Sequence, residues 1–191
     1  SEYMTAGVWA MGRTMDDLIL EAMTGNATSV SSADAASSVA LPSAQKVVHG
    51  SAGMTLAKLR AARKILREAD IDPDEELYLA ISGDKIEDLF AESGTPVISI
   101  DYNDQKPLVE GTISKFMGFN IIHTERLNND GDGNQQVMAW AKSGMGLSIG
   151  QNIETKISER PDKNYSVQCY AQMSLGCVRV QDNHVVEIAC T

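Results

Sequence analysis

The sequence predicts an α+β fold whose helices come ahead of its strands. Apolar residues recur at three- and four-residue spacing over Tyr3–Met23 and again over Thr55–Ala69, the period of an amphipathic helix. From Pro96 onward the pattern changes to runs rich in β-branched and aromatic residues, bounded by turn formers. Helices and strands therefore occupy separate stretches, unlike the strict alternation that builds a doubly wound parallel sheet.

Each element has its own signal. Val8, Met11, Met15, Leu18, Ile19 and Ala22 share one face of the first helix, and Gly25 supplies its stop. Asn26–Ser51 is rich in Ser and Ala and poor in large apolar residues, and its SVSSADAASS run reads as an exposed, mobile loop. A loop that long inside a compact domain is functional or partly disordered. The second helix turns Leu56, Leu59, Leu66 and Ala69 inward. It leaves Lys58, Arg60, Arg63, Lys64 and Arg67 outward as a solvated basic face. Pro73 breaks the chain, Leu77–Ser82 is a short buried strand, and Asp84–Ser93 is a third, short helix, which together make an α/β lobe. The strand-like runs are PVISIDY, KFMGFNIIHTERL, VMAWAKSGMGLSI, IETKISER, YSVQCYAQMSLGCVRV and HVVEIAC.

Composition narrows the function. With 191 residues and 43% hydrophobic content the chain can bury a core without disulfide or metal staples. A net charge of −10, with its basic residues concentrated on one helix, argues against sequence-specific DNA recognition, which needs a basic footprint. No apolar run approaches the roughly 18 residues of a membrane helix. No signal peptide is expected, because Arg13, Asp16 and Asp17 interrupt the early apolar residues. Cys169, Cys177 and Cys190 form no C-x-x-C pair and suit a reducing compartment as small buried residues.

Several motifs invite chemistry. Gly146-Leu147-Ser148-Ile149-Gly150 satisfies G-x-S-x-G, and Asp162 and His184 follow in the chain order of an α/β-hydrolase, with His49-Gly50 available for an oxyanion loop. That elbow must join a strand to a helix, however, and Asn152–Arg160 reads as a further strand. Asn128, Asp130, Asp132 and Gly133 match the start of a calcium loop, but the twelfth position is Ala139 where a bidentate Glu is required. A tight polar turn explains the same residues. His49, His123 and His184 lack ligand spacing, and no Gly-Lys-Ser/Thr phosphate loop occurs. Trp9 and Trp140 read as packing residues. No catalytic, cofactor-binding or metal-ligating residue is assigned, and no cofactor is implied.

Five phrases in order carry a resemblance. They are MGRTMDDLILEAMTG (Met11–Gly25), TLAKLRAARKILREADI (Thr55–Ile71), FMGFNIIHTERL (Phe116–Leu127), WAKSGMGLSI (Trp140–Ile149) and the run from Thr155 to Cys190. As a set they resemble the major capsid proteins of tailed bacteriophages. The resemblance implies the Hong Kong 97-like capsid fold, with a long spine helix, a peripheral lobe of long antiparallel strands and an α/β axial lobe. On that pattern residues 1–52 hold the spine helix and loop of the peripheral lobe, and 53–138 the axial lobe. Residues 139–191 hold the long strands of the peripheral lobe, returning toward the axial lobe. The N-terminal arm and extended loop of the family are absent ahead of Ser1-Glu2-Tyr3, so an N-terminally truncated core is expected.

The function implied is self-assembly through pentamers and hexamers into the icosahedral head that encloses phage double-stranded DNA without sequence-specific binding. Scaffolding, portal and decoration proteins are the further partners implied, with assembly in the bacterial host cytoplasm, residence in the virion, and no enzymatic or membrane role. The charged run Glu154, Lys156, Glu159, Arg160, Asp162 and Lys163 is a candidate for pairing between subunits, and Asn26–Ser51 for a loop that reaches a neighbour. A serine hydrolase and a non-viral acidic binding module stand as the alternatives.

Overall fold

Over Glu2–Thr24 (α1) the helical pattern is realised in full, and it ends where expected. The Gly25 N–H closes the last turn on Glu21 O at 2.8 Å, and a Cβ at position 25 would stand 2.8 Å from that same oxygen. The computed structural model describes residues 2–30, 36–91 and 113–191. The Pro96–Tyr102 strand reading, the end of the third helix reading and the middle of the SVSSADAASS run lie outside the described residues.

The Asn26–Ser51 tract is not one loop. Ala27–Val30 (β1) pairs antiparallel with Ala36–Val39 (β2), a short 3-10 turn covers Ser43–Gln45, and Lys46–Val47 (β3) joins the main sheet. The hairpin escaped sequence reading because both of its faces meet solvent, so no apolar alternation marks it.

Leu56–Glu68 (α2) is capped by Thr55, whose hydroxyl accepts the Lys58 N–H, and it buries Leu59, Ala62 and Leu66. The basic run on this helix is not uniformly solvated. Lys58 is buried, and its ammonium donates to Ala52 O, Gly53 O and Ala189 O at 2.6, 2.8 and 3.0 Å. Arg63 lies over the Phe119 ring and donates to Met117 O. Long stems let both side chains bury carbon while their heads donate to backbone carbonyls.

The core is a six-stranded mixed sheet. Leu77–Ile81 (β4) is followed by helix Gly83–Ala91 (α3), then by Lys115–Phe116 (β5), Phe119–His123 (β6), Gln135–Ala141 (β7) and, at the C-terminus, Val185–Cys190 (β10). The order is β3-β10-β7-β4-β6-β5, with β10·β3 and β4·β6 parallel and the other pairs antiparallel. All six residues of β10 are buried, as expected of a strand covered on both faces, and α2 packs over β10 and β7. KFMGFNIIHTERL, read as one run, is split into β5 and β6 by a two-residue turn. Met117 and Gly118 both take positive φ there (50° and 80°), and the bare Gly118 leaves room for the Arg63 guanidinium.

From this sheet a ribbon of two long strands, Met145–Arg160 (β8) and Ser166–Arg179 (β9), extends with α1 beside it. VMAWAKSGMGLSI is divided at Lys142–Gly144, where the chain turns from the core into the ribbon, and the chain returns through a second turn at Asp182–His184. A Cβ on Gly144 would lie 2.9 Å from His184 Cβ, so these turns cross in close contact.

Arg179 stands at that crossing with a fully buried side chain. Its Nη1 donates to Met23 O and Gly25 O at 2.9 and 2.8 Å, its Nη2 to Val39 O at 3.0 Å, and its Nε to the Asp182 carboxylate. One guanidinium therefore closes the C-terminus of α1, holds β2 and ties both to the ribbon's root. A positive charge at a helix C-terminus also meets the negative end of the helix dipole. A second tie, Asp17–Arg126, joins the side of α1 to the segment after β6.

Two outcomes are expected. Arg179→Met leaves three carbonyls and Asp182 without their donor and lowers the unfolding free energy by about 3–5 kcal/mol, measured by urea denaturation. Asp182→Asn keeps the carbonyl bonds and costs less. The Arg126 hydrogen bond and charge hold the Asp17 carboxyl below its ordinary value. Its contribution to stability is therefore present above the unfolded carboxyl's pKa and is lost as pH falls through the lower folded one. Carboxyl NMR titration should place Asp17 low in the native chain and return it toward the ordinary range in Arg126→Gln.

Candidate assembly surfaces

The ribbon presents more apolar surface than the chain covers. Along β9, Ala171, Met173, Leu175, Cys177 and Arg179 alternate on the more buried face, beside α1. Across from Cys177 and Leu175 stand Leu147 and Ile149 of β8, 44% and 47% exposed. Nearer the tip, Ile157, Val167 and Cys169 lie on this same face and are exposed. A two-stranded ribbon is marginal by itself, and its edges offer unpaired backbone groups to any strand that approaches. Helix α1 is open too. Only Leu20 and Met23 are fully buried, and Tyr3 and Trp9 project into solvent. Trp9 is thus not the packing residue expected, because the described residues leave it 67% exposed. Trp140 is one, half-buried and stacked on Tyr78 with ring centroids 5.7 Å apart.

The opposite face of the ribbon is polar and largely satisfies itself. Glu154 accepts from Gln151 and Gln172 at 3.0 Å each and pairs with Lys156 at 2.8 Å, while Tyr170 OH donates to Gln172. These bonds, with Lys156 first, hold the Glu154 carboxyl below its ordinary value and raise the Lys156 ammonium. At the tip Arg160 pairs with Asp162. Of the charged run singled out in the sequence, Glu159 and Lys163 make no ion pair among the described residues. The tip turn carries Asn164 and Tyr165 at positive φ (53° and 56°), with the tyrosine ring exposed.

The sequence motifs for chemistry are dispersed by this geometry. Ser148 sits within β8 opposite Gly176, not on a strand-to-helix elbow. Asp162 is at the ribbon tip beside Arg160, and His184 is at its root, where Nδ1 meets Ser143 Oγ at 2.7 Å. Strand rise puts the two ends of β8 roughly 50 Å apart. His49 Nδ1 accepts the Ser51 N–H and His123 pairs with Glu125, so each histidine has a separate setting. The calcium-like segment is a turn. Asp130 accepts from Asp132 N, Asn134 N and Asn134 Nδ2 at 2.8–2.9 Å, and these bonds, the Asn134 side chain first, hold its carboxyl low. Ala139, at the twelfth position, is buried in β7. Burial pushes the Cys177 and Cys190 thiols up, in keeping with packed rather than reactive sulfur. Among the described residues no helix is long and apolar enough to cross a membrane.

Sequence reading missed Lys58 and Arg179, whose burial has no local signature. The open apolar side of the ribbon did have one, in the period-two run Val167, Cys169, Ala171, Met173, Leu175, Cys177.

Solved phage structures share this arrangement. The chain is similar to one from Mycobacterium phage Che8, with 20% identity and a TM-score of 0.70 over 97% of this chain and 61% of that one. It is also similar to the capsid of cyanophage P-SCSP1u, with 15% identity and a TM-score of 0.65 over 100% and 65% of the two chains. For the acid-stable capsid of Helicobacter pylori bacteriophage KHP30 the values are 11% and 0.66, over 94% and 66%. The chain therefore spans less than two thirds of the length of each of these proteins. No curated protein sequence matches it. The shared fold is the Hong Kong 97-like capsid fold. The phage capsid protein family model matches residues 1–191, the whole of the sequence, and the chain belongs to that family.

Proposed function

We propose that this capsid protein builds an icosahedral phage head by closing pentamers and hexamers of itself around double-stranded DNA. The observation that carries the reading is the long ribbon beside α1, whose apolar flank and open edges find no cover among the described residues. Contacts of unlike surfaces around a rotation axis close into rings, and a lattice of weak contacts holds through multivalency. The α1–ribbon unit, from residues 1–52 and the long strands of 139–191, serves as the peripheral lobe. The unit built on 53–138, which the end of the chain rejoins through β10, serves as the axial lobe. A net charge of −10 limits adhesion to the enclosed DNA. Assembly takes place in the host cytoplasm, with scaffolding, portal and decoration proteins as further partners, and the protein has no catalytic role.

The test is direct. The gene product that carries this sequence, expressed as its gene encodes it, should form five- and six-membered rings or closed shells visible by electron microscopy. A product that stays monomeric at every concentration, with its scaffold added, would defeat the reading. Ile157→Asp with Val167→Asp, placed on the open apolar side, should raise the concentration needed for assembly by about tenfold or more while leaving the melting temperature nearly unchanged. Ser148 should not react with a fluorophosphonate probe, and stoichiometric labelling there would revive the hydrolase alternative.

A further inference from the structure

The strip formed by the outer face of α2 and the turn after it changes sign along its length. Arg60, Arg63, Lys64 and Arg67 follow at the spacing that places residues on one helix face. Together with Glu68 and Met117 they border an open groove of about 520 Å³. The turn that follows the helix carries Asp70, Asp72 and Asp74, all exposed. Between the two stretches lies a hollow of about 380 Å³ floored by Leu66, Ile71, Pro73 and Leu77. Arg63 and Arg67 border it from the helix, and Asp72 and Glu75 from the turn.

Local pairing accounts for only part of this charge. Lys64 meets Glu68 at 3.5 Å, Glu75 accepts the Ser143 N–H, and Glu76 meets Lys142 at 3.4 Å. Asp72 accepts the Asp74 N–H, which shapes the turn. Arg60, Arg67, Asp70, Asp72 and Asp74 make no ion pair among the described residues. Two cationic side chains, Arg60 and Arg67, and three carboxylates thus stand side by side, exposed, with an apolar floor between them.

We propose that this strip docks a second copy of the chain, with Arg60 and Arg67 of one copy standing against Asp72 and Asp74 of the neighbour. The proposal rests on the self-assembly reading and names one of its contacts. A surface positive at one end and negative at the other is complementary to a copy of itself, so one sequence supplies both halves of the match. Nucleic acid fits less well, because a phosphate chain drawn to Arg67 would run onto the carboxylates of the adjoining turn.

The test uses charge reversal in the gene product, with assembly followed by light scattering and sedimentation. Arg60→Glu/Arg67→Glu and Asp72→Lys/Asp74→Lys each set like charges against one another across the contact. Each should raise the concentration needed for assembly by about tenfold or more. A one-to-one mixture of the two, and a variant carrying all four changes, should assemble near the original concentration. Circular dichroism checks the fold. If loss of the Asp72 turn unfolds the acidic-side variant, Asp74→Lys alone, with Arg60→Glu/Arg67→Glu as its partner, carries the test.

Half-reversed variants that assemble as readily as the native protein overturn the proposal and leave the self-assembly reading standing. A fourfold variant no better than either half also overturns it. So does a basic-side variant whose only defect is lost nucleic acid binding. A native protein that never assembles removes both.

Discussion

A single buried guanidinium decides how the two parts of this molecule meet. Arg179 spends its donors on the last carbonyls of α1, on β2 and on Asp182, all within one residue's reach. A lysine could not do the same, because one ammonium cannot present a planar fork to groups on three segments. The geometry imposes an order on the surrounding chain. Helix α1 must end at Gly25, the ribbon must return to the core at Arg179, and the Asp182–His184 turn must fold back under it. Burying a charge is expensive, and here four hydrogen bonds to the fully buried guanidinium offset the cost.

The two parts held by that contact differ in physical character. The six-stranded sheet buries β10 on both faces, and Lys58 fastens the segment before α2 to that strand by a second cation-to-carbonyl arrangement. Most of the apolar burial lies there, so most of the stability does too. The ribbon and the outer half of α1 have one covered side and one open one. Their surfaces are too apolar to be a simple solvated edge and too sparsely packed to be a core. That combination suits a part which completes its packing against neighbours.

Fold class, helix positions and the change to strand periodicity were legible because each depends on local pattern. Val8, Met11, Met15 and Leu18 repeat at helical spacing whether or not their partners are known. What failed to show depends on contacts far apart in sequence. Lys58 lies in a basic run that reads as solvated, and only the approach of β10, 131 residues later, turns it inward. The paired strands β1 and β2 carry no alternation because neither face is buried. The turn at Met117-Gly118 hides in an otherwise strand-like run, although the glycine was its signal. Among the candidate site residues, the unsuitability of Ser148 as a nucleophile was legible, while the placing of Asp162 and His184 at opposite ends of the ribbon was not. A strand after Gly150 was enough to deny the nucleophile its elbow.

Under the proposed assembly, the position of Arg179 would link stability to the contacts between subunits. The open flank of the ribbon begins at Leu147 and Ile149, opposite Cys177 and Leu175 and only a few residues along β9 from Arg179. A neighbour that packs against this flank bears on strands whose root is fixed to α1 and β2 by the same guanidinium. Displacing the ribbon would stretch bonds to several carbonyls at once, and bonds that share one rigid planar donor cannot relax independently. The contacts proposed on the ribbon would therefore be made by a part that keeps its direction relative to the helix beside it. Orientational certainty of this kind is what repeated weak contacts require. In the proposed shell each added subunit would then present its surfaces at nearly the same angle, and the conformational freedom lost in joining the lattice would be correspondingly small.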